Sequence, residues 1–545
     1  MTAWRVRAAG GLPWAALLVL AAGGVPAHAQ FGSALGVGAA EGAAGAGGLG
    51  GFGEGGGGGG SGGTPPFYIT TGLGASLTAT NNVSLSSNDS QSSLILTATP
   101  YIQAFGQRGW LRGSLSYALS ASVYSGGDQR TTFNNSLSAQ GTAELIRSRM
   151  YVDATASISR QMISPFGTQS PSPIFNNANS TQVSTVSVAP RLNGQIAGEV
   201  DYSARAFYSY SSSGTSLASD SSTFGAIASF NGSTRWSNLG WGLNFSYREV
   251  RFSQGRNEFD QLNWVALHYS GIPDVVLTAR ANQETSNITS LNNETHYGYG
   301  GGIRWAPSPR TDFTVQYDTR VFGSSHLYAF NYRAPRSVWS ISSTQGLSTG
   351  QGGGFGGGGF YGGSVPANTT AYQLLFAAFA SIQPDPVLRA QLVNNFLRAN
   401  GIDPNATIAP SYLPNQVTEQ LSNQASVAWL GKRDTAMLSV NQTRSTRLGP
   451  LSNPGNDFAN GQPITWLGFS GTWSHRLTPR SNLTATLSQQ QTSGAADSTF
   501  RTANLMWSSQ VAERASAALM GSYSVQRGSG GYDMFSITAT FNIQF

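Results

Sequence analysis

The sequence contains no cysteine. Disulfides, thiolate metal sites and lipid attachment through an N-terminal cysteine are therefore excluded. Charge is scarce too, with Asp, Glu, Lys and Arg making up only 10% of 545 residues. A soluble chain with so few charges would be poorly solvated, whereas a membrane barrel hides its apolar face in lipid. Beyond the N-terminus no apolar run is long enough for a spanning helix. The net charge is +6, carried almost wholly by Arg, with no basic block or aromatic-spaced basic stripe, so no nucleic-acid partner is expected. His268, His296, His326 and His475 are scattered without metal-ligand spacing, and no metal or cofactor is expected. Gly346-Leu347-Ser348-Thr349-Gly350 matches GxSxG but runs into poly-Gly, without the strand–elbow–helix context of a nucleophile. No enzyme is expected.

What is present is alternation. Over Phe535–Phe545, Phe535, Ile537, Ala539, Phe541, Ile543 and Phe545 alternate with Ser536, Thr538, Thr540, Asn542 and Gln544. A period of two means a strand with one apolar and one hydrogen-bonding face. The pattern recurs from about residue 67 onward. Clear strands are Trp110–Val123, Arg149–Ile158, Val200–Tyr210, Trp241–Glu249, Val275–Ala281, Tyr297–Trp305, Phe313–Tyr317, Leu467–Trp473, Leu483–Leu487 and Ala515–Val525. In Tyr297–Trp305, for example, Tyr297, Tyr299, Gly301, Ile303 and Trp305 share one face. His296, Gly298, Gly300, Gly302 and Arg304 share the other.

Short connections alternate with long ones. Arg147–Arg149, Pro307–Arg310, Ala334–Arg336, Gly431–Asp434 and Leu477–Arg480 all fall on one side. Longer ones around Ser164–Ser180, Ser211–Ser221, Leu347–Gln416 and Leu448–Pro463 fall on the other. Short periplasmic turns and long outer loops are the rule for transmembrane barrels. The expected fold is all-β, a transmembrane antiparallel up-and-down barrel of about 22 strands, with 20–24 allowed by even numbering. Trp110, Trp241, Trp305, Trp429 and Trp473 lie near strand ends, where amphipathic rings favour the headgroup layer.

Residues 1–29 read as a secretory signal: Arg5 and Arg7, an apolar core from Leu12 to Ala22, and Ala27-His28-Ala29 before cleavage. Residues 30–66 are a Gly-rich periplasmic tether, and 67–545 the barrel. Within the barrel, 347–416 breaks the rhythm. After Gly352–Gly363 come two helical patterns, one with Phe376 and Phe379, the next with Leu388, Leu392 and Phe396 at four-residue spacing. Asp385 and Pro386 fit the start of the second, and Gly401 its end. Such a hairpin needs cover for its apolar face, by folding into the mouth as a plug or serving as a lid or partner interface. A barrel this wide is usually plugged. The tether is too short for a folded plug, which argues against a TonB-dependent transporter and leaves the helical loop to limit leakage.

The face assignment turns Arg112, Arg205, Arg248, Arg280, Arg304 and Arg320 into the lumen, with Asp201, Glu284 and Asp318. There Arg could meet carboxylate, phosphate or sulfate groups on an anionic solute, or pair with the lumenal acids. Ser, Thr, Asn and Gln add contacts that suit sugars without singling them out.

Trp305-Ala306-Pro307-Ser308-Pro309-Arg310-Thr311 at a tight turn, Pro384-Asp385-Pro386-Val387-Leu388-Arg389 before a helix, and the terminal strand ending at Phe545 carry a resemblance. With that layout over roughly 67–545, the chain resembles the outer-membrane β-barrel family associated with PEP-CTERM and exosortase systems, found with exopolysaccharide genes. The resemblance implies a place in the outer membrane of a Gram-negative bacterium and a role in polysaccharide export or surface assembly. It supplies no catalytic residues. The expected function is exopolysaccharide export or passage, with a general small-solute porin or a non-transporting scaffold barrel as alternatives. Expected partners are outer-membrane lipid and, for an exporter, an anionic polysaccharide or periplasmic export machinery.

Overall fold

The computed structural model describes residues 67–126, 131–215, 218–348, 369–370, 407–409, 416–450, 457–458 and 460–545. The expected signal sequence and tether lie outside the described residues. So do both helical patterns, including Phe376, Phe379, Leu388, Leu392 and Phe396.

The chain is built of strands. The first are β1 (Phe67–Thr80), β2 (Ser93–Arg108), β3 (Leu111–Tyr124), β4 (Thr131–Ile146), β5 (Met150–Met162), β6 (Ser180–Ile196), β7 (Val200–Ser213) and β8 (Ser221–Ser233). Next come β9 (Leu239–Phe252), β10 (Glu258–Ile272), β11 (Val275–Ser286), β12 (Glu294–Ser308), β13 (Thr311–Arg320), β14 (Gly323–Ala334) and β15 (Ser337–Ser348). A two-residue strand β16 (Thr369–Thr370) pairs only with β17 (Thr407–Ala409). The wall resumes with β18 (Thr418–Leu430), β19 (Asp434–Arg447), β20 (Ile464–Thr478), β21 (Ser481–Ser493), β22 (Ser498–Ala512), β23 (Ala515–Gly528) and β24 (Tyr532–Gln544).

Apart from β16 and β17, all belong to one 22-stranded sheet. It closes on itself: Gly72–Thr80 of β1 pairs with Ser536–Gln544 of β24, antiparallel like every other junction. Closure pairs the backbones of first and last strand and leaves no open sheet edge across the band, which a bilayer demands. The long insertion does not disturb this, because β15 pairs directly with β18 from Ser337↔Trp429 to Ser348↔Thr418.

Alternation sorts the side chains. On β24, Phe535, Ile537 and Phe541 are exposed on the outside while Ser536 is only 3% exposed. Tyr297, Tyr299, Ile303 and Trp305 face out, as their shared face predicts. The result is an apolar outer band with Trp305, Trp339, Trp429, Trp473 and Trp507 exposed towards one end. That surface fits lipid and not water. The Trp-rich end carries the tight turns, such as Arg147–Arg149 and Ala334–Arg336; it is called the turn end below, and the opposite rim the loop end. One turn shows why sequence matters there. Ala197 and Gly198 both take left-handed backbone angles, φ 53° and 74°, and glycine supplies the second without a Cβ clash.

Candidate functional site

The lumen is the candidate site, and its inward positions fall into distinct sectors. The first is a buried charged wall on β9–β13. Asp260 on β10 lies opposite Arg248 on β9, and both side chains are buried. Arg320 on β13 makes a forked contact with Glu284 on β11, at 2.8 and 2.9 Å, and also reaches Asp260 at 3.3 Å. The Val321 backbone N–H donates to Glu284 Oε2 at 2.9 Å. Arg280 on β11 pairs with Asp318 on β13 at 3.1 Å, although β12 lies between them. Glycine makes this possible. Arg280, Gly300 and Asp318 stand in register on the three strands, and a Cβ on Gly300 would lie 2.0 Å from Asp318 Oδ1. The ion pair therefore runs across a gap left by the missing side chain.

Apolar clusters flank these charges. On the loop side are Val250, Phe252, Ile288, Leu347 and Val417, and on the inner face of β10 are Leu262, Trp264 and Ala266. The guanidinium of Arg280 lies over Trp264 and that of Arg320 over Phe322, at 5.8 and 5.2 Å. Buried charge is tolerable only when paired and hydrogen-bonded, and here acids and arginines interleave. The wall also anchors the exit of the long insertion, where the Val417 N–H donates to Glu258 Oε2 at 2.9 Å. Arg256 holds the other oxygen of Glu258 at 3.2 Å.

A second, wetter group sits near the turn end of β3–β7. Arg112, Thr142 and Asp153 occupy one row across β3, β4 and β5. Arg205, Arg191, Tyr151 and Glu144 occupy another across β7, β6, β5 and β4. Arg191 Nε contacts Asp153 at 3.0 Å, its guanidinium stacks 4.3 Å from the Tyr151 ring, and Thr142 donates to Asp153 at 2.7 Å. Arg304 pairs with Asp312 at 2.9 Å close to the β12–β13 turn. Asp201 accepts from Gln195 at 2.8 Å.

All the arginines singled out from the sequence thus point inward, but the structure brings them together in separate places. Arg248, Arg280 and Arg320 share the buried wall, Arg112 and Arg205 the turn-end group, and Arg304 stands with Asp312. For Arg280, Arg304 and Arg320 the partner is a carboxylate of this chain. The sequence reading missed Asp260, Glu258, Asp153 and Arg191. Strand parity could have found them, since each shares a face with a buried or hydroxyl-bearing neighbour.

The third sector, β19–β24 with β1 and β2, is uncharged through its middle. Its inward hydroxyls bond across strands: Thr78 with Thr538 at 2.9 Å, Ser439 with Ser470 at 2.6 Å, and Ser488 with Thr502 at 2.6 Å. Thr97 on β2 bonds Ser122 of β3 at 2.9 Å in the same way.

The loop end is partly closed by a loop that the sequence marked only by its length. Residues Ile163–Asn179 fold inward. Phe175 packs with Val83, Leu85, Ile95, Tyr124, Tyr532 and Met534, and Phe166 with Phe458, Ile464 and Trp466. Strand side chains hold its backbone: Tyr532 donates to the Gln169 carbonyl at 2.7 Å, Gln526 accepts from the Gln169 N–H at 2.8 Å, and Asn134 donates to the Pro173 carbonyl at 3.2 Å. Ser164 donates to Asp457 at 2.8 Å.

Among the described residues no cluster of His, Asp and Glu has the makings of a metal site. His475 contacts Asp434 at 2.7 Å, while His268 and His326 meet the hydroxyls of Thr278 and Ser343. Ser348 ends β15, where its carbonyl accepts from Thr418.

No family model matches the chain, and no curated protein matches it. Solved structures do. The FrpB iron transporter from Neisseria meningitidis matches at 10% identity and TM-score 0.43, over 87% of this chain and 81% of that one. The siderophore receptor PirA from Pseudomonas aeruginosa matches at 11% identity and TM-score 0.36, over 88% and 80%. PirA from Acinetobacter baumannii matches at 8% identity and TM-score 0.45, over 87% and 80%. Likenesses this distant say nothing of cargo. The barrel stands on its own closed ladder of strand pairs.

Proposed function

We propose that this chain is a non-enzymatic barrel of the Gram-negative outer membrane that takes part in the export or passage of an extracellular polysaccharide. The observation that carries the reading is the uncharged inner sector, where cross-strand hydroxyl pairs recur along a closed wall. Such groups exchange hydrogen bonds with a hydroxyl-rich polymer at little net cost, and so permit sliding without tight retention. The resemblance to barrels found with exopolysaccharide genes points the same way, and brings periplasmic export machinery in as a partner. The buried arginines bear on the cargo, because Arg280 and Arg320 already hold acids of the wall. Arg191 in the turn-end group likewise holds Asp153, so an anionic polymer would have to compete with acids of the wall there as well.

The test is flux. Proteoliposomes containing the mature chain should release size-graded dextrans, and loss of the gene should reduce surface polysaccharide in the host. Unchanged surface polysaccharide together with no polymer flux would sink the reading. The inward-folded Ile163–Asn179 loop favours a second reading, a channel for small solutes, which predicts release of monosaccharides but not of dextrans. No flux of either kind would leave a scaffold barrel.

A further inference from the structure

Near the turn end, β24, β1 and β2 carry an arrangement that the hydroxyl strip alone does not explain. Tyr68 on β1 and Phe105 on β2 are in register and stack face to face, with ring centroids 5.3 Å apart. Both point inward, since Phe67 and Ile69 beside Tyr68 are exposed on the outer surface. Two steps further along, Tyr101 stands opposite Gly72. A Cβ on Gly72 would lie 2.3 Å from the Tyr101 ring, so the ring lies across the bare glycine. Gly74 is covered in the same way from the other side, where a Cβ would lie 2.6 Å from Asn542 Oδ1. Glycines on β1 thus let an aromatic ring from one neighbour and an amide from the other lie against the wall. Gln544 on β24 continues the amide side, in register with Gly72. Inward positions of β24 and β1 carry no Asp, Glu, Lys or Arg.

Flat aromatic faces next to neutral amides and hydroxyls, in a stretch without charge, match the chemistry of a sugar ring. A pyranose has an apolar C–H face that packs on an aromatic ring and a hydroxyl rim that exchanges hydrogen bonds. An anionic ligand would find no cation on the inward faces of β24 and β1, the first inward arginine being Arg112 on β3, beyond Phe105, and an alkyl chain would leave the amides unpaired. We propose that Tyr68, Tyr101 and Asn542 form a docking platform for an uncharged glycan at the turn-end mouth. The inference rests on the polysaccharide reading and narrows it, from polysaccharide in general to neutral polysaccharide. A polymer entering from the turn end would stack one residue on Tyr101 before meeting the hydroxyl pairs above.

The purified mature chain in detergent can be titrated calorimetrically with maltohexaose, cellohexaose and an oligogalacturonate. At least one neutral hexaose should bind, and Tyr101→Ala should weaken it tenfold or more. Tyr101→Leu, which keeps the bulk without the aromatic face, should do the same. Tyr299→Ala, on the outer surface, should leave binding unchanged. Gly72→Ser, by displacing the Tyr101 ring, should mimic its loss, with heat-modifiable gel mobility confirming that each variant remains a folded barrel. Absence of binding by both neutral hexaoses, or equal binding by Tyr101→Ala, overturns the platform. Binding of the oligogalacturonate alone overturns the neutral-glycan inference and leaves polysaccharide passage standing. Tyr101-dependent binding without dextran flux retains the platform and removes the passage.

Discussion

The inner walls of β9–β13 and of β19–β24 with β1 and β2 solve one problem by opposite means. Both must satisfy polar side chains inside a closed barrel. The first does so with full charges reaching across neighbouring strands, Arg280 to Asp318 and Arg320 to Glu284. The second does so with neutral hydroxyls that meet the strand next door, as Thr78 meets Thr538. A guanidinium can span two strands only if the strand between is stripped, which is what Gly298, Gly300 and Gly302 achieve on β12. A hydroxyl has no such reach and needs no such gap. Reach and strength therefore go with burial on one side, whereas the other keeps a weakly bonded, exchangeable surface.

The largest expected effect comes from breaking the charged wall. Asp318→Ala removes the carboxylate facing Arg280 in an apolar setting and should cost about 3–5 kcal/mol. Gly300→Val should cost a comparable amount by pushing Asp318 aside, since even its Cβ has no room. Urea titration of detergent-folded barrels, read by heat-modifiable mobility, measures both. The double change Arg280→Met with Asp318→Leu should recover most of the loss, because burying no charge is cheaper than burying one unpaired. If Asp318→Ala unfolds at the parent's urea midpoint, the contrast between the walls is wrong.

The same comparison predicts mild behaviour on the neutral side. Tyr532→Phe removes the hydroxyl that donates to the Gln169 carbonyl and should cost about 1–2 kcal/mol, concentrated in the loop end. Faster proteolysis within Ile163–Asn179 at an unchanged barrel melting temperature would be its signature; a uniformly weaker barrel would refute the local role. Thr97→Val strands the Ser122 hydroxyl and should cost about 1 kcal/mol. Adding Ser122→Ala should bring that cost back towards zero, since neither partner then stays buried and unmet.

The sequence displayed the wall far better than it displayed what fills it. Lipid forces an apolar residue at every second position, so strands such as Val275–Ala281 and Ala515–Val525 declare themselves and differ from the structure mainly in running longer. Turns such as Arg147–Arg149 declared themselves through tight spacing. The inward glycines of β12 were visible on one face with Arg304, but their purpose was not. It depends on Arg280 and Asp318 meeting across an intervening strand, and no local period encodes that. The inward loop left less trace still. Phe166, Ile174 and Phe175 follow no repeat, and Gln169 meets Tyr532 across 363 residues of chain. The helical patterns with Phe376 and Leu392 fall outside the described residues, and the loop at Ile163–Asn179 is an inward feature among the described ones.

The smallest effect concerns a carboxyl placed away from the charged wall. Asp457 meets the hydroxyl of Ser164 rather than a guanidinium, and burial pushes its carboxyl above the ordinary aspartate range. A folded-state value raised above the unfolded one means that the folded loop favours the protonated acid. Its contribution to stability is complete below the ordinary aspartate value and is lost as pH climbs through the raised one. The Ser164 hydroxyl favours the anion but burial outweighs it, so the packing of Asp457 against the loop should be firmest in acid and loosen on the way to neutrality, opposite to the usual behaviour of an acid held by arginine. Because the native chain has no cysteine, a single Thr168→Cys reporter reads this cleanly through its rate of maleimide labelling, corrected for thiolate fraction with an exposed cysteine elsewhere. Labelling should quicken with rising pH in the parent, and Asp457→Asn, a fixed mimic of the protonated acid, should abolish the dependence. Corrected labelling that slows as pH rises would show that Asp457 grips the loop as an anion, and would place it with the ion-paired acids of the opposite wall.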